Sequence, residues 1–239
     1  MILEAAKTRN KLLRRMSQQD FETLQPLLTT TNLNFRQRLQ GANRTITDVY
    51  FIEHGIASVI AIGGGERRQA EVTMVGDEGL AGCSIILGVE RSPCEIFMQV
   101  EGVGQKISSS DFRAAILQSS SMMDLMHRYV HTFVVQGAFT ALANARGTIP
   151  ERLARWLLMA RDRSLTDELV LTHDFLSLML GVRRAGVTGA LHDFEHRGLI
   201  STSRGLVKVL DREGLEEMAD GLYGVAEAEY ERCFSNLEF

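Results

Sequence analysis

Cysteine is scarce in this chain, and its placement removes two chemistries. Three cysteines, Cys83, Cys94 and Cys233, stand in 239 residues, an odd number without the CxxC or CxxxH spacing that disulfide frameworks and zinc ribbons need. Reduced thiols are the expectation. Long apolar runs are missing too: no stretch of roughly eighteen apolar residues occurs, and no basic, apolar, small-residue leader opens the sequence. Neither a membrane span nor secretion is expected, which leaves the cytoplasm. Also absent are HExxH, a GxxxxGK[ST] phosphate loop, a Rossmann glycine fingerprint and a Ser/His/Asp order with a supporting motif. An enzyme is not expected. The run Gly63 to Arg68, GGGERR, lacks the strand-to-helix setting of a phosphate loop and reads as a hairpin turn.

An excess of basic charge is lacking as well, since the net charge is −4. Its distribution matters more than its sum. Residues 1–147 carry 15 Lys/Arg against 14 Asp/Glu, and residues 148–171 carry four of each. Residues 172–210 carry five basic residues against three acidic ones, whereas residues 211–239 carry two against nine. The acidity that sets the pI therefore lies beyond a modestly basic segment, which keeps some attraction for phosphate.

What is present falls into stretches of different periodicity. Ser17 with Asp20 three residues on resembles a helix start, followed by Phe21, Leu24, Leu27 and Leu28 at helical spacing. From about Asn32 to Ile107 the pattern alternates as strands do, in VYFIEHGIASVIAI, RRQAEVTMV and SPCEIFMQV, with glycines between the runs. Short strands with glycine turns predict a compact, jelly-roll-like β-roll. After Ser110, read as an N-cap, the chain turns helical. Met122, Met126, Tyr129, Phe133, Gln136 and Thr140 form one stripe, and Met123, Val130, Val134 and Ala141 the next. So wide an apolar face predicts a helix that packs on the roll and on a second subunit; the seam is assigned to Met122, Met126, Tyr129 and Phe133. Burial within a monomer is the alternative.

Gly147 interrupts that helix, and Thr148 with Glu151 supplies a capping box with Pro150 in the first turn. The divisions expected are residues 1–110 for the roll, 111–147 for the dimerisation helix and 148–239 for a C-terminal domain. In the last, Leu153, Trp156, Leu157 and Ala160 face inward, with Trp156 as a core anchor.

The segment 172–210 carries the functional signal. Thr172 can cap a helix through Phe175, Leu176, Leu178, Met179 and Leu180, and Gly181 falls where a helix-turn-helix needs a left-handed backbone. A second helix comes next, with Val187, Ala190, Leu191 and Phe194 inward. Arg183, Arg184, Thr188 and His192 are left on its outer or leading face. The first residues of a recognition helix reach base edges: arginine pairs with guanine, and threonine bonds a base or meets a thymine methyl. Thr172, with His173 beside it, is placed to meet phosphate. Gly198 ends the helix, and residues 199–210 form a two-stranded wing with Arg204 at its tip. Double-stranded DNA is the partner this pattern predicts, although a glycine-joined helical hairpin also serves as plain packing.

At the level of the whole chain, VYFIEHGIASV and VGDEGLAG in the roll, NARGTIPERLARWLL at the hinge and LTHDFLSLMLGVRRAGVTGALHDFEHRGLI beyond it resemble the Crp/Fnr family of bacterial transcription regulators, over about residues 10–220. The resemblance implies an α+β fold: an N-terminal cyclic-nucleotide-binding-like β-roll, a long dimerisation helix and a C-terminal winged helix-turn-helix. It also implies a homodimer on a near-palindromic site, with RNA polymerase as a further partner. The family's recognition pattern Arg-Glu-Thr-Val-x-Arg is replaced by Arg184-Ala185-Gly186-Val187-Thr188-Gly189, so its usual target sequence does not carry over. Gly186 and Gly189 each cost the helix on the order of 1 kcal/mol relative to alanine. They motivate an alternative, a ligand-binding or interaction module with a degenerate DNA-binding domain.

The effector signature is also incomplete. Cyclic-nucleotide binders hold the ribose with a Gly-Glu pair and the phosphate with an Arg-Ser pair; here Gly82 is followed by Cys83, and Arg91-Ser92 comes at shorter spacing before Pro93. Gly82, Cys83, Arg91 and Ser92 are thus the candidate effector residues. No cofactor is predicted; a cyclic nucleotide at these residues and haem through His54 or Cys83 are the alternatives, and an iron–sulfur centre is not expected, since no cysteine precedes Cys83.

Overall fold

The computed structural model describes residues 8–64 and 69–235. The proposed turn at GGGERR lies partly outside these residues. Two short helices come first, α1 (Lys11–Arg14) and α2 (Gln18–Leu24), the latter capped by the Ser17 hydroxyl on the Asp20 amide. Asn10 ties α1 to the strands of the roll. Its buried side-chain amide accepts from the Leu12 and Leu13 amides and donates to the Ile52 and Gly79 carbonyls. Every polar atom of that side chain is thereby matched, which burial demands.

The roll is built from β1 (Thr29–Leu33), β2 (Arg38–Gln40), β3 (Asp48–Ile62), β4 (Gln69–Val75), β5 (Leu80–Ala81) and β6 (Cys94–Ser108). All pairings are antiparallel, in the order β1-β6-β3-β4, with β2 added to β6 and β5 to β3. Register shifts between Ile52 and Ala57 bend the long β3–β6 ladder so that it wraps around its own core. The bend needs two glycines. Gly55 has φ +98°, and a Cβ on Gly102 would lie 1.8 Å from the His54 carbonyl oxygen, so no other residue fits there.

Helix α3 (Ser109–Gln118) is capped by Ser108, two residues earlier than expected from Ser110. Its end at Ser119 caps α4 (Ser120–Arg146) directly. The capping box of Thr148 and Glu151 then opens α5 (Ile149–Asp162). Beyond it come β7 (Glu168–Val170), α6 (His173–Leu180), α7 (Arg184–His196), β8 (Ile200–Ser203), β9 (Leu206–Val209), α8 (Arg212–Met218) and α9 (Val225–Phe234). The sequence pattern does not announce β7. It makes the wing the outer part of a three-stranded sheet, in the order β7-β9-β8.

Two packing expectations are corrected. Met122, Met126 and Tyr129 are buried against the chain's own roll and α1, and Phe133 is packed beside them. The Tyr129 hydroxyl donates to the Leu80 carbonyl and accepts from its amide. Met122, Met126 and Tyr129 are therefore internal and leave no surface for a second subunit, while Phe133 is half-buried. The neighbouring stripe is the more open one: Val134 and Ala141 are exposed, and Met123 and Val130 are half-buried at the edge of the same core. The second correction concerns the C-terminus. α9 leaves the winged helix and returns to α4 and the roll, with Cys233 and Phe234 in the same core as Leu12, Phe112 and Met126. Arg15 stacks over both Tyr230 and Phe234, and Tyr230 donates to the Glu78 carbonyl oxygen.

α5 joins the halves. Leu153 to Ala160 are all buried, more than an amphipathic helix requires, because α5 packs on the winged helix and the roll at once. Ile56, Ile60 and Met74 of the roll share a core with Trp156, Leu157, Leu176 and Phe194. Trp156 is in the core, as expected of an anchor, but its indole N–H crosses to the roll and donates to Glu71 at 2.6 Å. Arg163 pairs with Glu78 at 2.7 Å, both side chains largely buried.

Burial pushes the Glu71 carboxyl up to about 7, against the opposing pull of Ser58, Trp156 and the positive charges of Arg155 and Arg163. A raised carboxyl pKa means that the folded state prefers the protonated form. Its stabilisation is full below the ordinary value of 4.5 and is lost as pH rises through 7. The loss is on the order of 3 kcal/mol. Glu71→Gln keeps an acceptor for Trp156 and removes the titration, so urea denaturation between about pH 5 and 8 should show a smaller decline in stability for the variant than for the parent.

Candidate DNA-binding interface

Local chemistry sets each element of the helix-turn-helix. The Thr172 hydroxyl accepts from the Phe175 amide at 3.2 Å and starts α6. Gly181 stops it with φ +62° and ψ +34°, a conformation that costs other residues about 1–2 kcal/mol. The Gly181 and Val182 amides close the turn onto the Leu178 and Ser177 carbonyls. α7 then runs back with Val187, Ala190, Leu191 and Phe194 buried, the inward set that the spacing predicts.

The outward set is also on the surface: Arg183, Arg184, Thr188 and His192 are all exposed. Arg183 occupies the N-cap of α7 without a side-chain hydrogen bond to the first turn. The first amides of a helix then point outward with no side-chain acceptor, an arrangement suited to an anion. Two contacts hold the leading face in shape. Arg184 Nε lies 3.3 Å from Asp174 on α6, and His173 Nδ1 lies 2.9 Å from the Thr188 hydroxyl. Thr172, His173, Arg184 and Thr188 therefore form one surface across the two helices. Neither contact is visible in the sequence, because each joins a residue of α6 to one about a dozen positions later through the geometry of the turn.

The wing is fastened to α7 from its other end. Glu195 accepts from both the amide and the hydroxyl of Thr202 at 2.8 Å, and these bonds hold its carboxyl below the ordinary range. Arg204 and Gly205 form the tip, both with positive φ, as in the tight turns that match strand twist. Arg204 is exposed there. The two unusual glycines of α7 differ in their surroundings. A Cβ on Gly186 would meet Ile149 Cδ1 at 2.7 Å, whereas a Cβ on Gly189 would meet nothing within 4 Å. Gly186 thus lets α7 approach α5 closely.

The candidate effector residues lie just after β5 and just before β6. Gly82 has φ +99° and leads into a short 3-10 turn at Cys83. Burial pushes the Cys83 thiol up to about 12, so it stays protonated at neutral pH and is a poor substitute for a ribose-binding carboxylate or a haem ligand. Arg91 is exposed, and the Ser92 hydroxyl is occupied by the Cys94 amide at 3.2 Å. Among the described residues no helix is long and apolar enough to cross a membrane.

Comparisons with known proteins agree with this geometry. Residues 151–218 match the family described as the Crp-like helix-turn-helix domain. Among solved structures, a putative transcriptional regulator of the Crp/Fnr family from Eubacterium rectale is similar at 19% identity, with a TM-score of 0.69 over 88% of this chain and 98% of that one. FixK2 from Bradyrhizobium japonicum is similar at 15% identity and a TM-score of 0.67, over 80% and 96% of the two chains. TTHB099, a CRP family regulator from Thermus thermophilus, is similar at 18% identity and a TM-score of 0.67, over 80% and 97%. A comparison with curated proteins returned no match. The shared architecture is a β-roll, a long helix and a winged helix-turn-helix in one chain. Residues 151–218 are thus a Crp-like helix-turn-helix domain, and the chain as a whole has the fold of the Crp/Fnr regulators it is similar to.

Because the Gly189 position is open, Gly189→Ala should raise stability by up to about 1 kcal/mol through helix propensity alone. Thermal denaturation read by circular dichroism checks this; a loss of stability would mean that Gly189 packs against something other than solvent.

Proposed function

We propose that the protein is a sequence-specific transcription regulator that binds DNA as a cytoplasmic homodimer and acts without a cyclic nucleotide. The observation that carries this reading is the leading face of α7, where Arg183, Arg184 and Thr188 are exposed together beside a helix N-terminus that no side chain caps. Arg184 and Thr188 read base edges in the major groove, while Thr172, His173 and Arg204 contact the phosphates on either side. The homodimer forms along the more open stripe of α4, through Met123, Val130, Val134 and Ala141. Two such units place two α7 helices on a near-palindromic site, and RNA polymerase is a further partner once the dimer is seated.

Selection of genomic fragments by the purified protein at near-physiological salt, with no ligand added, should yield one shared near-palindromic motif. On that motif Arg184→Ala should weaken specific binding by roughly 1–3 kcal/mol and leave non-specific binding little changed. Equal losses on specific and non-specific DNA would assign Arg184 to phosphate instead. Val134→Glu places a charge on the more open stripe, and sedimentation should show the parent as a dimer and the variant as a monomer. An unchanged dimer would move the seam off this stripe.

A further inference from the structure

α4 and α9 meet along a seam that DNA binding does not use. His131 stands on α4, and Glu229 and Cys233 stand on α9 one helical turn apart, so both side chains of α9 face the same way. His131 Nε2 lies 2.7 Å from Glu229 Oε1, and Cys233 Sγ lies 3.5 Å from that same oxygen. All three ligand-type atoms lie within 4.8 Å of one another. We propose that His131, Glu229 and Cys233 form a binding site for a thiophilic divalent cation of the zinc class, which fastens α9 to α4.

The chemistry of the three donors supports this choice. Imidazole, carboxylate and thiolate together make a borderline-soft set that prefers zinc or cobalt to magnesium or calcium. Bond lengths of about 2.0–2.3 Å in a tetrahedron put ligand atoms about 3.3–3.6 Å apart. The observed separations reach that spacing by small side-chain rotations, with no movement of either helix. The backbone is already held, because Arg128 donates to the Cys233 carbonyl oxygen at 2.9 Å. On the outer side lies an open cleft bordered by His131, Val225, Ala228 and Glu229, which gives the metal an entry path and room for water as fourth ligand. Metal binding takes Cys233 as thiolate, its proton passing to solvent, and His131 as neutral imidazole with Nε2 bare, so the proton now held between Nε2 and Glu229 moves to Nδ1 or, from a charged ring, also passes to solvent.

One neighbour competes. Arg232 bonds both oxygens of Glu229, at 2.6 and 2.7 Å, and its side chain is 71% exposed. It therefore leaves the site at little cost, and the metal replaces one cation by another. α9 is connected through Gly224 and Gly221 to α8 of the winged helix, so occupancy ties the DNA-binding half to α4.

The test is a cobalt titration of the reduced, metal-free full-length protein. A single cobalt ion per chain should give a thiolate-to-cobalt absorption in the near ultraviolet that zinc then abolishes. Cys233→Ser should lose that absorption, His131→Gln should weaken binding by about tenfold or more, and Arg232→Ala should strengthen it several-fold. Zinc should raise the melting temperature of the parent and not that of Cys233→Ser, a comparison that holds even if the variant is less stable. Absence of the thiolate band, or an equal band in Cys233→Ser arising from Cys83 and Cys94, would overturn the proposal. None of these readings involves DNA, so their failure is separable from failure of the regulator assignment.

Discussion

The rest of the structure depends on the burial of α5 between two different surfaces. A helix that packs on one partner has a polar face to give to water, but α5 has none from Leu153 to Ala160. Its polar groups must then find partners inside. Trp156 does so on Glu71 and Arg163 on Glu78, while Arg155, also buried, donates to the Leu222 carbonyl oxygen. Removing one member of such a pair leaves a buried charge or donor without compensation, which costs more than the intact pair contributes. The roll and the winged helix are consequently locked into one arrangement by a small set of polar contacts embedded in a shared apolar core.

Features written in short-range chemistry were legible in the sequence. The capping boxes, Gly181 at the turn, Gly198 at the end of α7 and the inward set from Val187 to Phe194 each depend on residues within a turn or two of one another. What the sequence concealed was long-range. The two apolar stripes of α4 are equivalent on the helix itself; only the position of Leu80, which bonds Tyr129, decides that the Met122 stripe is internal. α9 was hidden for a related reason. Its acidic composition gives no sign of where it packs, whereas its aromatic residues Tyr230 and Phe234 find Arg15 more than two hundred positions earlier.

The candidate site shows the same division. Which side chains of α7 face outward is set by periodicity, but the surroundings of its glycines are not. Gly186 and Gly189 look alike in the sequence as helix-weakening residues. In the structure one is a contact with Ile149 and the other faces open space. Likewise, Arg91 and Ser92 keep the letters of an anion-binding pair, yet the Ser92 hydroxyl is engaged by a neighbouring amide. Residue identity does not specify a site unless the backbone brings the groups to a common point.

On the proposed reading of α7 as a recognition helix, the pairing of Arg184 with Asp174 bears on how DNA is searched. The carboxylate engages the guanidinium that a base acceptor would take on that reading, and so acts as an internal stand-in for the ligand. A random stretch of duplex offers the guanidinium little that Asp174 does not already provide, and it brings phosphate charge close to that same carboxylate. Loose encounters are therefore penalised and brief. A matched sequence repays the exchange through the planar two-point geometry of guanine, which a single carboxylate oxygen at 3.3 Å does not reproduce. Selectivity in such an arrangement comes as much from the acid that must be displaced as from the base that is finally read.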